Sequence, residues 1–177
     1  MNLINKIGIG SVQFGVPYGV SNTQGQTPFQ EVTRILKFAA SSGITFIDTA
    51  SAYGNAEEIL GYNDLNKFKV ISKFMPQESK SFLNNQLEKT LSNLQIKSLY
   101  GYLAHRPLTL IEDDAQWDEL LKLKDLKKIK KIGFSLNEPY ELEALLEKER
   151  IPDLIQVPYN YFDNRFKPLL IKLKAIG

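Results

Sequence analysis

The 177-residue chain contains no cysteine and a single histidine, His105. The absence of cysteine excludes a disulfide framework, thiolate metal ligands and a cysteine nucleophile. A lone histidine also leaves no second imidazole or thiolate to complete the usual ligands of a zinc ion, so we expect no metal site. Any chemistry must therefore come from carboxylates, hydroxyls, lysines and one imidazole.

An excess of charge of one sign and long apolar runs are also missing. Lys and Arg number 22 against 20 Asp and Glu, which gives a net charge of +2. Nucleic-acid binding needs a surplus of Lys and Arg on one face, so we expect no nucleic-acid partner. No stretch approaches the roughly 18 uninterrupted apolar residues of a membrane helix, and the start of the chain is too weakly apolar for a signal peptide. We expect a cytoplasmic protein that does not bind membranes.

One segment, residues 122–131, is rich in lysine although the charge of the whole chain is nearly balanced. Its Leu and Ile residues follow a core-facing pattern, and the lysines fill the other positions. No aromatic residue interleaves with the lysines to stack on bases. We interpret the segment as a solvated helix end that leads into a strand.

Short apolar runs recur along the chain, and each is followed by a stretch with helical periodicity. Continuously apolar strands that alternate with helices form parallel sheets covered by helices, either a doubly wound sheet or a (β/α) barrel. The six runs are Ile7–Val12, Thr45–Ile47, Val70–Ser72, Leu99–Ala104, Ile132–Phe134 and Leu154–Val157.

Local signals set the expected bounds of three helices. Thr27 and Pro28 predict the N-cap and first residue of the helix after the first strand, and Gly43 predicts its end. Asn137 is placed to cap the helix after the fifth strand. The last helix is predicted over Arg165–Leu173.

Polar residues at the strand ends decide between the two folds. Each lies at or just past the carboxyl end of a different run, and such convergence from many strands is how a barrel builds its active site. A doubly wound sheet would concentrate polar groups at one crevice, and Gly8-Ile9-Gly10 lacks the third glycine of a dinucleotide-binding turn. The residues are Asp48, Lys73, His105, Ser135 and Asn160.

The predicted fold is therefore a TIM-type (β/α) barrel that is incomplete. A complete barrel has eight units in about 250 residues, whereas this chain supplies about six. We expect one domain over residues 1–177 that lacks the last two units. The open edges of its first and sixth strands would need cover, for which a second copy or another partner chain is a candidate.

The carboxyl ends of the strands, with the loops that follow them, form one rim of the predicted barrel. Four residues on this rim form the candidate catalytic set: Asp48, Tyr53, Lys73 and His105. A free phenol titrates near pH 10, and a nearby ammonium is expected to lower that value. Asp48 would keep Lys73 charged and in place, and the histidine could donate a hydrogen bond to a carbonyl oxygen. These properties suit the reduction of a carbonyl group.

The same residues carry a resemblance to the aldo-keto reductases over essentially the whole chain. The matching segments run from Gly8-Ile9-Gly10-Ser11-Val12-Gln13-Phe14-Gly15, through Asp48-Thr49-Ala50 and Tyr53-Gly54, to Gln156-Val157-Pro158-Tyr159-Asn160. The opening segment is most similar to the bacterial branch often associated with surface-polysaccharide gene clusters. The resemblance implies an NAD(P)(H)-dependent reductase of aldehydes or ketones, with Tyr53 as proton donor, Lys73 and Asp48 tuning it, and His105 orienting the carbonyl.

The resemblance also implies a set of cofactor-binding residues. Ser135 and Gln156 fall where the family holds the nicotinamide carboxamide, Asp48 lies near the nicotinamide ribose, and Ser11 is a further cofactor position. The family often has Ser-Asn after the fifth strand, whereas this chain has Ser135-Leu136-Asn137. The family's phosphate contacts come largely from the seventh and eighth units, so NADP(H) or NAD(H) would be held weakly or not at all by the first six.

Two hypotheses follow. The first is an oxidoreductase that passes hydride from NAD(P)H to a small aldehyde or ketone. The second is a catalytically silent truncated barrel that acts as an interaction or regulatory subunit, or a fragment of a longer reductase. Three aromatic residues are open to two interpretations, since they could line a substrate pocket or pack the loop after the sixth strand. They are Tyr159, Tyr161 and Phe162.

Overall fold

The computed structural model describes residues 3–76 and 82–176, and the remaining positions of the expected 1–177 domain lie outside this part. Six parallel strands form one sheet whose order follows the chain. Their bounds are β1 Gly8–Gly10, β2 Phe46–Asp48, β3 Lys69–Phe74, β4 Leu99–His105, β5 Ile129–Ser135 and β6 Leu154–Gln156. The prediction of an incomplete (β/α) barrel of six units is confirmed.

Helices connect the strands. They are α1 Val12–Gly15, α2 Phe29–Ser41, α3 Ala56–Gly61, α4 Phe82–Leu94, α5 Asp114–Asp125, α6 Pro139–Glu147 and α7 Lys167–Ile176, with short 3₁₀ helices at Leu3–Lys6 and Pro107–Ile111. No helix in residues 3–76 and 82–176 is both long and apolar enough to cross a membrane. The sheet curls, because β4 and β6 approach each other where Gly101 faces the side chain of Leu154.

The ends of α2 and α6 show where capping predictions succeed and fail. Gly43, with φ of 81°, follows the end of α2 as expected. The predicted Thr27 cap is wrong, since Pro28 occupies the N-cap and no side chain bonds there. The predicted Asn137 cap is also wrong, because Glu138 and Glu141 form a reciprocal capping box one residue later.

The last helix begins two residues later than predicted. Asn160 Oδ1 accepts hydrogen bonds from the backbone N–H groups of Phe162 and Asp163, and Asp163 Oδ1 accepts one from Arg165. These side-chain bonds hold the segment in turns, which compete with helix at Arg165. The helix therefore starts at Lys167.

The apolar core lies between the sheet and its helices. Helical spacing predicts that four leucines share one buried face of α4, and all four are buried: Leu83, Leu87, Leu91 and Leu94. On α5, Trp117 stacks against Phe134 of β5 with ring centroids 5.6 Å apart. The spacing of Trp117, Leu120 and Leu121 predicts the buried face of α5, but Leu121 is exposed and Leu123 is buried instead. The core thus fixes each helix over the strand pair beside it and leaves the carboxyl strand ends free for polar groups.

Strand register aligns the polar residues at the carboxyl ends of neighbouring strands. Gly10 pairs with Asp48, and His105 pairs with Ser135. Ser135 in turn pairs with Gln156 on β6. The predicted catalytic and cofactor residues therefore lie along one rim of the sheet.

Candidate active site

The four predicted catalytic residues come together at the ends of three adjacent strands. Lys73 Nζ donates hydrogen bonds to Asp48 Oδ1 at 2.5 Å and to the carbonyl oxygen of Thr49 at 3.0 Å. The same nitrogen lies 4.9 Å from the ring centroid of Tyr53. The Tyr53 and His105 rings are perpendicular, with centroids 6.2 Å apart. One carboxylate, one ammonium, one phenol and one imidazole thus share a single small volume.

The loop that carries Tyr53 is bonded to β3. The Thr49 N–H donates to the carbonyl oxygen of Ile71 at 2.9 Å. The Ser51 N–H and hydroxyl both donate to the carbonyl oxygen of Lys73, at 3.0 and 3.1 Å. These bonds extend the β2–β3 pairing past the end of β2. The loop is therefore held in a fixed position relative to Lys73 on β3.

Two glycines that sequence reasoning used only as family markers also position Tyr53. A Cβ at Gly15 would lie 1.7 Å from the carbonyl oxygen of Tyr53, so α1 can approach the loop only through a glycine. Gly54 has φ of 57°, and a Cβ there would lie 2.5 Å from the carbonyl oxygen of Gly15. The sequence shows glycine at both positions, but it does not show that the two lie against each other in the fold.

Lys73 and Asp48 form an ion pair that is largely withdrawn from water. The Lys73 side chain is 1% exposed and that of Asp48 is 25% exposed. Burial lowers the pKa of Lys73, and the adjacent Asp48 carboxylate opposes this shift. The pair is the electrostatic centre of the site, and each partner compensates the burial of the other.

The Tyr53 phenol is protonated at neutral pH. Burial, followed by the negative charge of Asp48, raises its pKa to about 12. The expected lowering of this pKa by Lys73 is therefore wrong. The reason is that the ammonium is already paired with Asp48 and lies over the ring, so the phenol senses the carboxylate as well as the cation. At neutral pH Tyr53 is therefore a neutral phenol rather than a phenolate.

His105 is set up as a neutral imidazole. Burial, followed by the positive charges of Lys73 and Arg106, lowers its pKa. Its Nδ1 atom is buried and has no hydrogen-bond partner in the part of the chain that the structure describes. A neutral imidazole carries one N–H donor and one acceptor nitrogen, which suits it to bind a polar ligand atom without adding charge.

The predicted cofactor positions are spread along the same rim. Ser11 is fully buried, its N–H donates to the carbonyl oxygen of Asp48 at 2.9 Å, and its hydroxyl has no partner among the described residues. Ser135 Oγ donates to Gln156 Oε1 at 3.4 Å, and Gln156 is exposed. The backbone N–H of Asn137 donates to Glu141 Oε2 at 2.7 Å in the cap of α6. The exposed amide of Gln156 fits the carboxamide end of a nicotinamide cofactor, whereas the Ser11 hydroxyl is enclosed by protein and is not open to a ligand.

The three aromatic residues of the loop after β6 are exposed to solvent. Tyr161 and Phe162 are 91% and 95% exposed, and Tyr159 is 53% exposed. Tyr161 and Phe162 contact each other edge to face, with centroids 5.2 Å apart. Tyr161 and Phe162 thus pack against each other within the loop, and the substrate-pocket interpretation stays a prediction.

A curled parallel sheet whose strand ends carry Asp, Tyr, Lys and His in this order defines an incomplete (β/α) barrel of reductase type. The aldo/keto reductase family model matches residues 6–175. The chain belongs to the aldo-keto reductase family.

Individual relatives agree with this assignment. A probable aldo-keto reductase 1 from Glycine max is 30% identical over 154 residues, which cover 77% of this chain and 42% of that protein. Aldo-keto reductase YhdN from Bacillus subtilis is 25% identical, with coverage of 92% and 52%. The chain thus spans about half the length of the curated relatives it matches.

Solved structures share the fold. A Pseudomonas aeruginosa protein assigned to the aldo-keto reductases superposes with a TM-score of 0.81 at 27% identity, covering 95% of this chain and 68% of that one. An aldo-keto reductase from Klebsiella pneumoniae, solved in complex with NADPH, superposes with a TM-score of 0.75 at 24% identity, with coverage of 95% and 59%.

Proposed function

We propose that this chain carries the proton-transfer site of an NAD(P)H-dependent reductase of small aldehydes or ketones, with Tyr53 as the proton donor. The observation that carries the proposal is the juxtaposition of Tyr53 with the buried Lys73–Asp48 pair and with His105. Burial raises the pKa of Tyr53 to about 12, so the phenol holds the proton that carbonyl reduction needs at neutral pH. The relatives' shared family supports the same activity.

Tyr53 supplies the proton. Reduction adds a hydride to the carbonyl carbon and leaves negative charge on the oxygen, which must be protonated. The phenol, whose pKa is raised to about 12, keeps its proton at neutral pH and is a stronger acid than the alcohol that forms. The proton passes from Tyr53 Oη to the developing alkoxide, and solvent returns a proton to the half-buried phenolate.

His105 and Lys73 stabilise the charges that develop. The neutral imidazole donates its N–H to the carbonyl oxygen, which orients and polarises the substrate. The Lys73 ammonium, held by Asp48 and by the Thr49 carbonyl oxygen, faces the Tyr53 ring and stabilises the transient phenolate. Asp48 keeps this cation charged within a buried site.

The nicotinamide cofactor, when bound, supplies the hydride. Ser135 and Gln156 would hold its carboxamide, and Asp48 would lie beside its ribose. The Klebsiella pneumoniae relative was solved in complex with NADPH, which supports a nicotinamide cofactor, either NADP(H) or NAD(H), for this chain. This assignment concerns the nicotinamide end only, since the named residues all lie on the β1–β6 rim.

Replacement of Tyr53 by phenylalanine tests the proposal. Tyr53→Phe removes the transferable proton and is expected to lower carbonyl turnover by roughly 100-fold or more, while the Kd for NADPH stays within about twofold. Tyr62→Phe is the matched control, because Tyr62 is 71% exposed and lies outside the site. Unchanged turnover in Tyr53→Phe would show that Tyr53 is not the proton donor.

A second candidate is a non-catalytic subunit whose open edge another chain covers. The observation that favours it is the surface after β6, where Tyr161 and Phe162 are almost fully exposed. Sedimentation of the purified chain with NADPH titration separates the two functions. A self-associating chain that binds no dinucleotide supports the second, and a monomer that reduces carbonyls supports the first.

A further inference from the structure

A buried carboxylate lies behind the catalytic rim. Glu57, in the first turn of α3, is only 4% exposed. The Ser72 hydroxyl donates to its Oε1 at 2.7 Å, and Asn93 Nδ2 donates to its Oε2 at 3.4 Å. Glutamate is almost never buried without specific partners, because removing its charge from water is costly. The reaction proposed above does not use this group.

The position of Glu57 links the two halves of the site. It follows Tyr53 by four residues, and its partner Ser72 immediately precedes Lys73 on β3. Successive side chains of a strand point to opposite faces, so Ser72 faces the helices while Lys73 faces the rim. This hydrogen bond joins α3, which follows Tyr53, to the strand that carries Lys73, in addition to the Thr49 and Ser51 bonds that tie the Tyr53 loop to the same strand.

A close helix contact brings the third partner into reach. A Cβ at Gly61 would lie 2.0 Å from the carbonyl oxygen of Asn93, so only glycine lets α3 approach α4 this closely. Asn93 lies on α4 and contacts Glu57 from that side. The short helix α3 is therefore held by its own carboxylate against both β3 and α4.

We propose that Glu57 is a positioning residue: through Ser72 and Asn93 it fixes α3 against β3 and α4, and so sets the placement of the Tyr53 ring beside Lys73. The effect of Glu57 on catalysis rests on the proposed function of Tyr53, whereas its effect on the position of the Tyr53 ring does not. The substitution Glu57→Gln keeps the size of the side chain and removes its charge. It is expected to loosen the Tyr53 segment and to admit water to the phenol.

The test follows the Tyr53 phenol by NMR titration, with its signal assigned by comparison with Tyr53→Phe. Burial is the largest cause of the raised pKa of Tyr53, so Glu57→Gln and Ser72→Ala are each expected to lower this pKa by at least about half a unit toward the ordinary value near 10. Glu58→Gln is the matched control, since Glu58 is the next residue of α3 and is exposed. The control should leave the titration unchanged.

A merely structural role gives a different pattern. If the folded variants lose thermal stability but Tyr53 titrates as in the parent chain, the proposal is overturned. If Glu57→Gln does not fold, Ser72→Ala decides alone. In turnover, a positioning role predicts that kcat falls roughly 10-fold with KM little changed. Because the titration needs no turnover, it stays informative even if Tyr53→Phe shows that the proposed reaction is wrong.

Discussion

The strand ends at β2–β4 and those at β5–β6 are built differently. At β2–β4, side chains hold one another: Lys73 is 1% exposed and bonded to Asp48 and to the Thr49 carbonyl oxygen. At β5–β6, Ser135 and Gln156 are placed mainly by strand register, with one 3.4 Å contact between them. The groups proposed for proton transfer are therefore preorganised within the first four units, whereas those proposed to bind the carboxamide are not.

Removal of the Lys73–Asp48 ion pair should have the largest effect on stability. Lys73→Met leaves the Asp48 carboxylate, three-quarters buried, without its cation. We expect the free energy of unfolding to fall by about 3 kcal/mol, as for other broken buried pairs. Urea unfolding checks this, and Ser135→Ala on the other half of the rim should cost less than about 0.5 kcal/mol. Equal effects at the two positions would contradict the contrast.

The glycine contact under Tyr53 should give the next largest effect. Gly15→Ala places a Cβ against the Tyr53 carbonyl oxygen, so the loop must shift. We expect a loss of about 2 kcal/mol in unfolding free energy, as for other overpacked sites. Gly10→Ala is the control, because a Cβ there meets nothing within 4 Å. A Gly15→Ala chain as stable as the control would show that the loop is loosely held.

The half-buried imidazole predicts a smaller, pH-dependent effect. The pKa of His105 is lower in the folded chain than in the unfolded chain. Below about pH 6.5, the unfolded state therefore binds a proton that the folded state does not, and stability falls with pH until the folded pKa is reached. Denaturant unfolding between neutral and mildly acidic pH should show a steeper loss for the parent chain than for His105→Gln. Parallel curves would mean that His105 is not desolvated.

The loop after β6 should give the smallest effect. Phe162 is 95% exposed, so Phe162→Ser is expected to change the free energy of unfolding of the monomer by less than about 0.5 kcal/mol. Thermal unfolding at low protein concentration measures this. A large loss would mean that the aromatic residue is buried in solution, for example against another chain.

Sequence patterns were sufficient for the fold and for the composition of the rim. Apolar runs at β1–β6 marked the strands, because parallel strands are buried on both faces. Asp48, Lys73 and His105 could be named because a polar residue that ends such a run must lie at the sheet edge. Cap positions were less accurate, since the Glu138–Glu141 capping box competed with Asn137 one residue earlier.

Long-range contacts were not predictable. Glu57 reads as an ordinary helix-start glutamate beside Glu58, and its burial depends on Ser72 and Asn93, which lie 15 and 36 residues away. The pKa of Tyr53 also depended on geometry: the same cation that would lower it is paired with Asp48, and burial dominates. Residue types identify the groups of a site, but their protonation states depend on how deeply they are buried and on which neighbour is nearest.

Titration of the purified chain with NADPH, followed by protein and nicotinamide fluorescence, tests most directly whether these six units assemble a reductase site. We predict saturable but weak binding, complete by about millimolar NADPH, that weakens further in Gln156→Ala and persists in Tyr53→Phe. An absence of saturable binding at millimolar NADPH would contradict the assignment of the rim as a cofactor-dependent site.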